Sequence, residues 1–367
     1  MSETFTPLDI EMMARALKLA GQGLYTAHPN PRVGCVVVKE GEIIGQGYHA
    51  KAGEAHAEIV ALEDAGKHAE GSTVYVSLEP CCHYGKTSPC ADALIKAGVC
   101  ELIAAMEDPN PKVAGGGFEK LKSAGITVRV GLLEARAKKI NEGFIFRMQQ
   151  GRPFVRLKIA SSLDGATAML DGESKWITGE AARNDVQKLR ASSGAIMTGI
   201  GTVLADDPSL TIRNIGLEPY SQQPLRVVVD SRLRMRPESK MLALEGRTMI
   251  FCADDANRQA LEAAGAVIVK VPPSESHTSL HNVLQELAVL EINEVLVEAG
   301  SSIIGNLISA GLADELIIYQ APHLMGSHTR RVLESHDWTN MSDRRSLKIM
   351  DLRKVGDDLR IVARPIS

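Results

Sequence analysis

Glu54-Ala55-His56-Ala57-Glu58, then Glu79-Pro80-Cys81, then Cys90: these segments decide how the first half of the chain must fold. One neutral imidazole and two thiolates supply three ligands to Zn²⁺ and leave the fourth tetrahedral position for water. A carboxylate that is not itself a ligand can then carry the proton of that water. A lone buried His or Cys is more often a packed core group, so the four residues in this order carry the metal reading. His56 and Glu58 are two apart and would point away from each other in mid-helix. They converge only if His56 opens a helix, and Ala52-Gly53-Glu54 supplies a turn just before it. Pro80 suits the first position of a helix whose N-terminus would hold the Cys81 thiolate. Eight residues separate Cys81 from Cys90 where two are usual, so Cys82 and His83 stand as rival ligands.

A histidine–x–glutamate segment followed by a proline–cysteine pair is the signature of zinc deaminases that act on nucleobase rings. The first half is therefore expected to be a hydrolytic deaminase. The bulk numbers narrow the partners. A length of 367 residues predicts two domains, and a net charge of −4 with 23% charged residues describes an ordinary soluble protein. No basic stripe or arginine-rich tail points to a nucleic-acid partner. No apolar run is long enough to span a bilayer, so no membrane partner is expected. The start, Met1-Ser2-Glu3-Thr4-Phe5, lacks the basic and apolar regions of a signal peptide. Six cysteines, three of them within Cys81–Cys90, resemble a metal site in a reducing cytoplasm more than a disulfide framework.

Helical and strand-like segments alternate throughout, which predicts α/β architecture in both halves. A helix is expected from Leu8 to Ala20, with Met12, Met13, Ala16 and Leu17 on its apolar side. Strands follow around Val33–Lys39, Ile43–Tyr48, Thr73–Leu78 and Glu101–Met106, with helices from His56 and from Cys90 to Ala97. A helix from about Leu133 to Gln149 ends at Gly151-Arg152-Pro153, a linker because glycine stops a helix and proline cannot continue it. This divides the chain into residues 1–150 and 151–367. In the second part the expected strands are Phe154–Ala160, Ala195–Met197, Leu225–Val229, Thr248–Phe251, Ala266–Lys270, Glu294–Val297 and Leu316–Tyr319. Asn214–Gln223 and Pro272–His281 read as loops.

The whole chain resembles the RibD/RibG family, the bifunctional deaminase–reductases of riboflavin biosynthesis. The match rests on His28-Pro29-Asn30-Pro31 with Val33-Gly34-Cys35-Val36-Val37, on Gly53 through Glu58, and on Leu78-Glu79-Pro80-Cys81 with His83, Gly85, Thr87, Pro89 and Cys90. It continues through Ser162-Leu163-Asp164-Gly165, Ser174-Lys175-Trp176-Ile177-Thr178, Thr202 through Pro208 and Glu298-Ala299-Gly300. The long cysteine spacing belongs to this family's pattern, which favours Cys90 as the third ligand.

The resemblance implies a cytidine-deaminase-like three-layer domain followed by a dihydrofolate-reductase-like α/β domain. It implies Zn²⁺ and NADPH as cofactors and a diaminopyrimidinone carrying a ribosylamino 5-phosphate as substrate. Glu58 would be the catalytic proton carrier. Asn30 and His49 would hold the substrate ring, with Lys86, Asp108 and Asn110 as further candidates. The implied cofactor contacts are Ala160, Trp176, Thr202, Asp206, Ser231 and the run Gly300, Ser301, Ser302, Ile303, Ile304, Gly305 and Asn306. Ser174, Arg190, Leu210, Arg213 and Glu298 would contact the phosphorylated substrate. Lys158 and Asp206 are alternative proton donors for the reduction. Ser231, Arg232 and Arg234 are candidates for reading the extra phosphate of NADPH. The family also suggests a homo-oligomer built through the second domain. Two rival readings remain: a nucleoside or tRNA deaminase with an accessory domain, and a closed, four-ligand structural zinc module.

Overall fold

The computed structural model describes residues 5–83, 88–111, 113–213, 216, 222–274, 277–334 and 338–366. Gly85, Lys86, Thr87 and most of the loop expected at Asn214–Gln223 lie outside them. The chain forms two compact units, Met1–Gly151 and Arg152–Ser367. Gly151 closes the last helix of the first unit at φ 65°, a conformation that glycine adopts without steric cost.

In the first unit the helices are α1 (Pro7–Ala20), α2 (Ala57–Ala65), α3 (Cys90–Lys96), α4 (Gly116–Ser123), α5 (Glu134–Ile140) and α6 (Glu142–Gln150). The strands are β1 (Gly34–Lys39), β2 (Glu42–Tyr48), β3 (Thr73–Val76), β4 (Glu101–Ala104) and β5 (Thr127–Val130), in the order β2-β1-β3-β4-β5. Alternation along the strands splits the core. Cys35, Val37, Val74, Val76, Leu102 and Ala104 face α2, α3 and α4. Val36, Val38, Tyr75 and Ile103 face α1 and α5. The result is three layers, helix on sheet on helix. Two glycines let helices lie directly on the strands. A Cβ on Gly34 would sit 2.1 Å from the Ala16 carbonyl, and one on Gly45 would sit 2.3 Å from that of Ala61.

The single helix expected at Leu133–Gln149 is two helices broken at Asn141. Asn141 is buried, and its amide accepts from Arg32 N (2.7 Å) and donates to Arg32 O (2.9 Å). Asn141 itself leaves the helical region (φ −108°, ψ 21°), and this two-way clasp on the Arg32 backbone holds it there.

In the second unit, β6 (Phe154–Ser162), β7 (Ala166–Met169), α7 (Glu180–Ala191), β8 (Ala195–Gly199), α8 (Ile200–Asp206) and β9 (Leu225–Val229) come first. Then follow β10 (Thr248–Cys252), α9 (Arg258–Ala263), β11 (Ala266–Lys270), β12 (Pro273–Ser274), β13 (His277–Thr278) and α10 (Leu280–Val289). The last elements are β14 (Glu294–Val297), α11 (Ser301–Ser309), β15 (Glu315–Ala321), β16 (Thr329–Arg331), β17 (Leu347–Val355) and β18 (Asp358–Pro365). The segment expected to be a loop at Pro272–His281 thus holds a short antiparallel strand pair and the first residues of α10. The main sheet runs β11-β10-β9-β8-β14-β6-β15-β18-β17, parallel from β11 to β15 and antiparallel at β18 and β17. The sequence reading lacked this closing hairpin. β17 is exposed along almost its whole length, so it has no half-buried alternation to read.

Arg226 on β9 is buried in full and spends its guanidinium on one turn. It donates to Thr248 Oγ1 (2.9 Å) and to the carbonyls of Glu245 (2.7 Å), Leu244 (3.1 Å) and Gly246 (2.6 Å). Arg226→Met keeps the stem and removes every donor. It should cost about 2–3 kcal/mol of stability, read as a lower urea midpoint; an unchanged midpoint would show that water serves these carbonyls equally well.

Candidate active sites

Each unit brings its candidate residues together at the ends of parallel strands. In the first unit, His56 is the N-cap of α2, in extended conformation (φ −73°, ψ 160°). Glu58 falls in the first turn, where a carboxylate complements the helix dipole. The His56 Nδ1 atom lies 3.6 Å from Cys81 Sγ and 3.3 Å from Cys90 Sγ. All three ligand atoms fall within 4.8 Å of one another. The donor set of one imidazole and two thiols, with no fourth protein ligand among the described residues, fits a zinc ion that keeps an open position.

Two local expectations need correction. Cys81 does not begin a helix. The helix begins at Cys90, capped by Pro89, and the Cys90 N–H donates to Cys81 Sγ at 3.2 Å. The free N–H groups of a helix start therefore still stabilise the Cys81 thiolate, supplied by the following helix. Cys82 is not in the cluster; its Sγ lies 3.9 Å from the Val113 carbonyl. His83 is exposed and also stands outside it.

The electrostatics match a metal site. Hydrogen bonds from Cys90 and His56 hold the Cys81 thiol down at about 4. Its partner Cys90, which donates in that pair and is buried, is pushed up. His56 is raised by its bond to Cys81. Glu58 is only 3% exposed, and burial pushes it up to about 7.

The expected substrate residues of this unit converge on the same place. The His49 ring meets the His56 ring edge-on, with centroids 5.2 Å apart. His49 Nδ1 lies 3.1 Å from the Ala55 carbonyl and its Nε2 lies 3.0 Å from Asn30 Nδ2. A carbonyl can only accept, so Nδ1 donates and Nε2 accepts from the Asn30 amide. Burial lowers the His49 pKa and favours this neutral form. Asp108 is buried, which pushes it up to about 6, and its Oδ1 accepts from Asn110 N at 2.8 Å.

Sequence reading passed over the residue that ties these parts together. Glu79 is buried, and its two oxygens accept from Asp108 N (3.1 Å), Gly115 N (2.9 Å), Gly117 N (2.9 Å) and Phe118 N (3.3 Å). The carboxylate thus holds the Asp108 loop and the start of α4 against the Cys81 segment. Only its place two residues before Cys81 could have drawn attention to it.

In the second unit, Arg190 of α7 forms a two-pronged pair with Glu298 (2.6 and 2.9 Å) and donates to the Thr211 carbonyl at 2.9 Å. Burial disfavours the Glu298 charge, but Arg190 beside it, with Lys158 and Arg213, holds the carboxyl below its usual range. Lys158 on β6 faces the same pair, and burial lowers its pKa. The Arg213 side chain is exposed, and its N–H donates to Gln187 Oε1 at 3.0 Å. Leu210, expected to contact the substrate, is buried in a core cluster. Ser174 is half-buried.

Gly300 caps α11, which has no side-chain cap and no acidic residue in its first turn. A Cβ on Gly300 would meet nothing nearer than Thr202 Oγ1 at 4.0 Å, so the backbone here lies open to a ligand. That cradle of N–H groups fits a pyrophosphate. Gly300, Ser302 and Asn306 are exposed, and Ser301 and Ile303 are partly so. Ile304 and Gly305 are buried in the helix underside, Ile304 in the core and Gly305 against the Glu334 carbonyl. Ala160 is half-buried near the end of β6. Trp176 is 70% exposed, with the Arg183 guanidinium 4.7 Å from its ring. Asp206 pairs with Lys175 at 3.6 Å. Ser231 accepts from Thr278 N (2.9 Å) and Thr278 Oγ1 (3.0 Å).

If Cys81 and Cys90 are ligands and Cys82 is not, Cys82→Ser should retain one zinc per chain after dialysis. Cys81→Ser and Cys90→Ser should each lose most of it. Atomic emission on the purified variants decides this, and a Cys82→Ser protein emptied of metal would reject the assignment.

The comparisons with known proteins agree with this geometry. The cytidine and deoxycytidylate deaminase zinc-binding region matches residues 7–106, and the RibD C-terminal domain matches residues 153–361. The chain is 47% identical over 356 residues to the riboflavin biosynthesis protein RibD of Escherichia coli, covering 95% of this chain and 96% of that one. It is also 47% identical over 370 residues to RibD of Haemophilus influenzae, covering 98% of each. The solved structure of Acinetobacter baumannii RibD superposes with a TM-score of 0.93 at 45% identity, over 98% of this chain and 99% of that one. A Thermotoga maritima structure, described as a diaminohydroxyphosphoribosylaminopyrimidine deaminase and 5-amino-6-(5-phosphoribosylamino)uracil reductase, gives a TM-score of 0.84 at 33% identity, over 98% and 99% of the two chains. A zinc-site unit joined to a reductase-type unit, matched to these relatives along nearly its whole length, places the chain in the RibD family of riboflavin biosynthesis proteins.

Proposed function

We propose that the chain carries out two successive reactions on one phosphorylated pyrimidine. The first unit hydrolyses the ring 2-amino group of 2,5-diamino-6-(5-phosphoribosylamino)pyrimidin-4(3H)-one. The second reduces the ribosyl group with NADPH, giving 5-amino-6-(5-phosphoribitylamino)uracil. The observation that carries this reading is the buried Glu58 beside His56, Cys81 and Cys90, in a chain whose other unit matches the RibD C-terminal domain.

A zinc ion held by His56, Cys81 and Cys90 would supply Lewis-acid activation of water. The chain's own residues do the rest. Glu58, with a pKa near neutrality, takes a proton from the attacking water and gives it to a ring nitrogen, then carries the second proton, from the hydroxyl that the addition leaves on the ring carbon, to the departing ammonia. The Asn30 amide is oriented by His49, which leaves its Oδ1 to accept from the ring's N–H or amino group. Glu79 keeps the Asp108–Asn110 loop in place beside the ring.

NADPH would supply the hydride, lying along the α11 start. The Arg190 fork is engaged by Glu298, so a two-pronged grip on the substrate phosphate falls to Arg213. Of the two candidate proton donors, Asp206 is tied to Lys175, whereas Lys158 faces Glu298 and Arg190. We assign the donor role to Lys158. The homo-oligomer would form through the second unit, whose edge strand β17 exposes Ile349, Met350 and Leu352. No helix among the described residues is long and apolar enough to cross a membrane, in keeping with a cytoplasmic enzyme.

Mass spectrometry of the product tests both steps. Without NADPH, one amino group should be exchanged for oxygen; two hydrogens should be gained only when NADPH is added. Glu58→Gln should slow deamination by on the order of 10³-fold while keeping zinc and still reducing the supplied deaminated intermediate. Lys158→Met should show the opposite pattern. Loss of both activities in either variant would argue against separate sites.

A further inference from the structure

We propose that Gln187 and Gln223 are positioning residues of the second unit: together they hold segment 211–213 on the backbone course that aims Arg213 at the substrate phosphate. This rests on the reductase reading above. The segment belongs to no helix or strand, yet Thr211 and Ile212 are buried. Buried backbone groups must find partners, and here side chains supply them. The chain enters the segment through Leu210, which sits at φ 47° in the left-handed region that residues other than glycine seldom adopt. A conformation of that kind persists only where its surroundings hold it.

Three side chains hold it. From α7, the Arg190 guanidinium donates to the Thr211 carbonyl at 2.9 Å. One turn earlier on the same helix, Gln187 Oε1 accepts from Arg213 N at 3.0 Å. Residues three apart share a helix face, so both reach the segment together. From the approach to β9, Gln223 takes both backbone groups of Ile212. Its Oε1 accepts from Ile212 N at 2.9 Å, and its Nε2 donates to Ile212 O at 3.3 Å. Gln223 is itself backed by a firm turn. A Cβ on Gly246 would stand 2.9 Å from Gln223 Cβ, and the Gly246 carbonyl accepts from the buried Arg226 at 2.6 Å. The segment is thus held between a helix and the turn that Arg226 fastens.

The consequence falls on Arg213. Its side chain is exposed while its own N–H is clamped, and its charge helps to hold the Glu298 carboxyl down, so it lies toward the Glu298 site. Arg190 is engaged by Glu298 and by the Thr211 carbonyl. The direction of Arg213 therefore follows from the backbone that Gln187 and Gln223 fix. Ordering a long amide side chain costs rotamer entropy that its hydrogen bonds roughly offset. The clamp accordingly defines the course of the backbone more than it stabilises the fold, and its loss should show in substrate binding before it shows in melting.

The test is steady-state reduction of the supplied deaminated intermediate by the full chain. Gln187→Met and Gln223→Met keep the stem and remove the amide. Each should raise KM for the pyrimidine by on the order of tenfold. KM for NADPH and the melting temperature should stay at wild-type values, and kcat within about twofold. Arg213→Ala should raise the same KM, and adding either glutamine change to it should raise it no further, because residues that act through one another are not additive. A glutamine that serves only the fold would instead lower the melting temperature and add its effect to that of Arg213→Ala. The proposal is overturned if both methionine variants, or Arg213→Ala, keep the wild-type KM. It is equally overturned if the glutamine effects persist in full beside Arg213→Ala. The two glutamines act from different elements, so if one variant fails to fold the other decides. A wild-type chain that reduces nothing would sink the reductase reading itself, whatever the glutamines do.

Discussion

A buried carboxylate must be met by donors or it cannot stay charged away from water, and each unit is organised around one that is fully met. Glu79 accepts four backbone N–H groups from two segments distant in sequence, Asp108 and Gly115 through Phe118. Cys81 follows two residues later and so inherits its position from that anchor. Glu298 takes both prongs of Arg190 at the point where β14 gives way to α11. Without these carboxylates the loops that carry the reacting groups would have no fixed relation to their sheets.

Both sites also exploit helix starts, whose first N–H groups have no partner within the helix. The Cys90 N–H lowers the energy of the Cys81 thiolate, and α2 places His56 at its cap with Glu58 in its first turn. Gly300 leaves the start of α11 open in the second unit. The same backbone feature thus serves a thiolate in one half and is left open in the other, where it suits an anionic group.

Burial then sets the proton chemistry. Glu58 is pushed up to about 7 by burial, where it can both take and give a proton near neutral pH. His49 is held neutral by burial, and its bond to the Ala55 carbonyl fixes which ring nitrogen keeps the proton, so the orientation of the Asn30 amide follows from the His49 tautomer. In the second unit, Lys158 is brought down by burial while its neighbours Glu298 and Arg190 remain a charged pair.

The sequence by itself determined the α/β class and most of the strands in both halves. It also marked the His56–Glu58–Cys81–Cys90 set, because residue identity and periodicity are local properties written in the order of the chain. It did not reveal the break at Asn141 or the closing β17–β18 hairpin. Each of these depends on a partner far away in sequence or on an exposed strand with no alternation to read. Spacing alone left Cys82 and His83 as rivals to Cys90, which only the family pattern favoured, and left Lys158 and Asp206 as alternative proton donors. Those choices depend on which way a side chain turns once the sheets are packed. Only the tertiary structure decided that Cys82 turns to Val113, that Asp206 turns to Lys175 and that Asp230 turns inward to its own loop, because each direction is set by the backbone donors and charges packed around it.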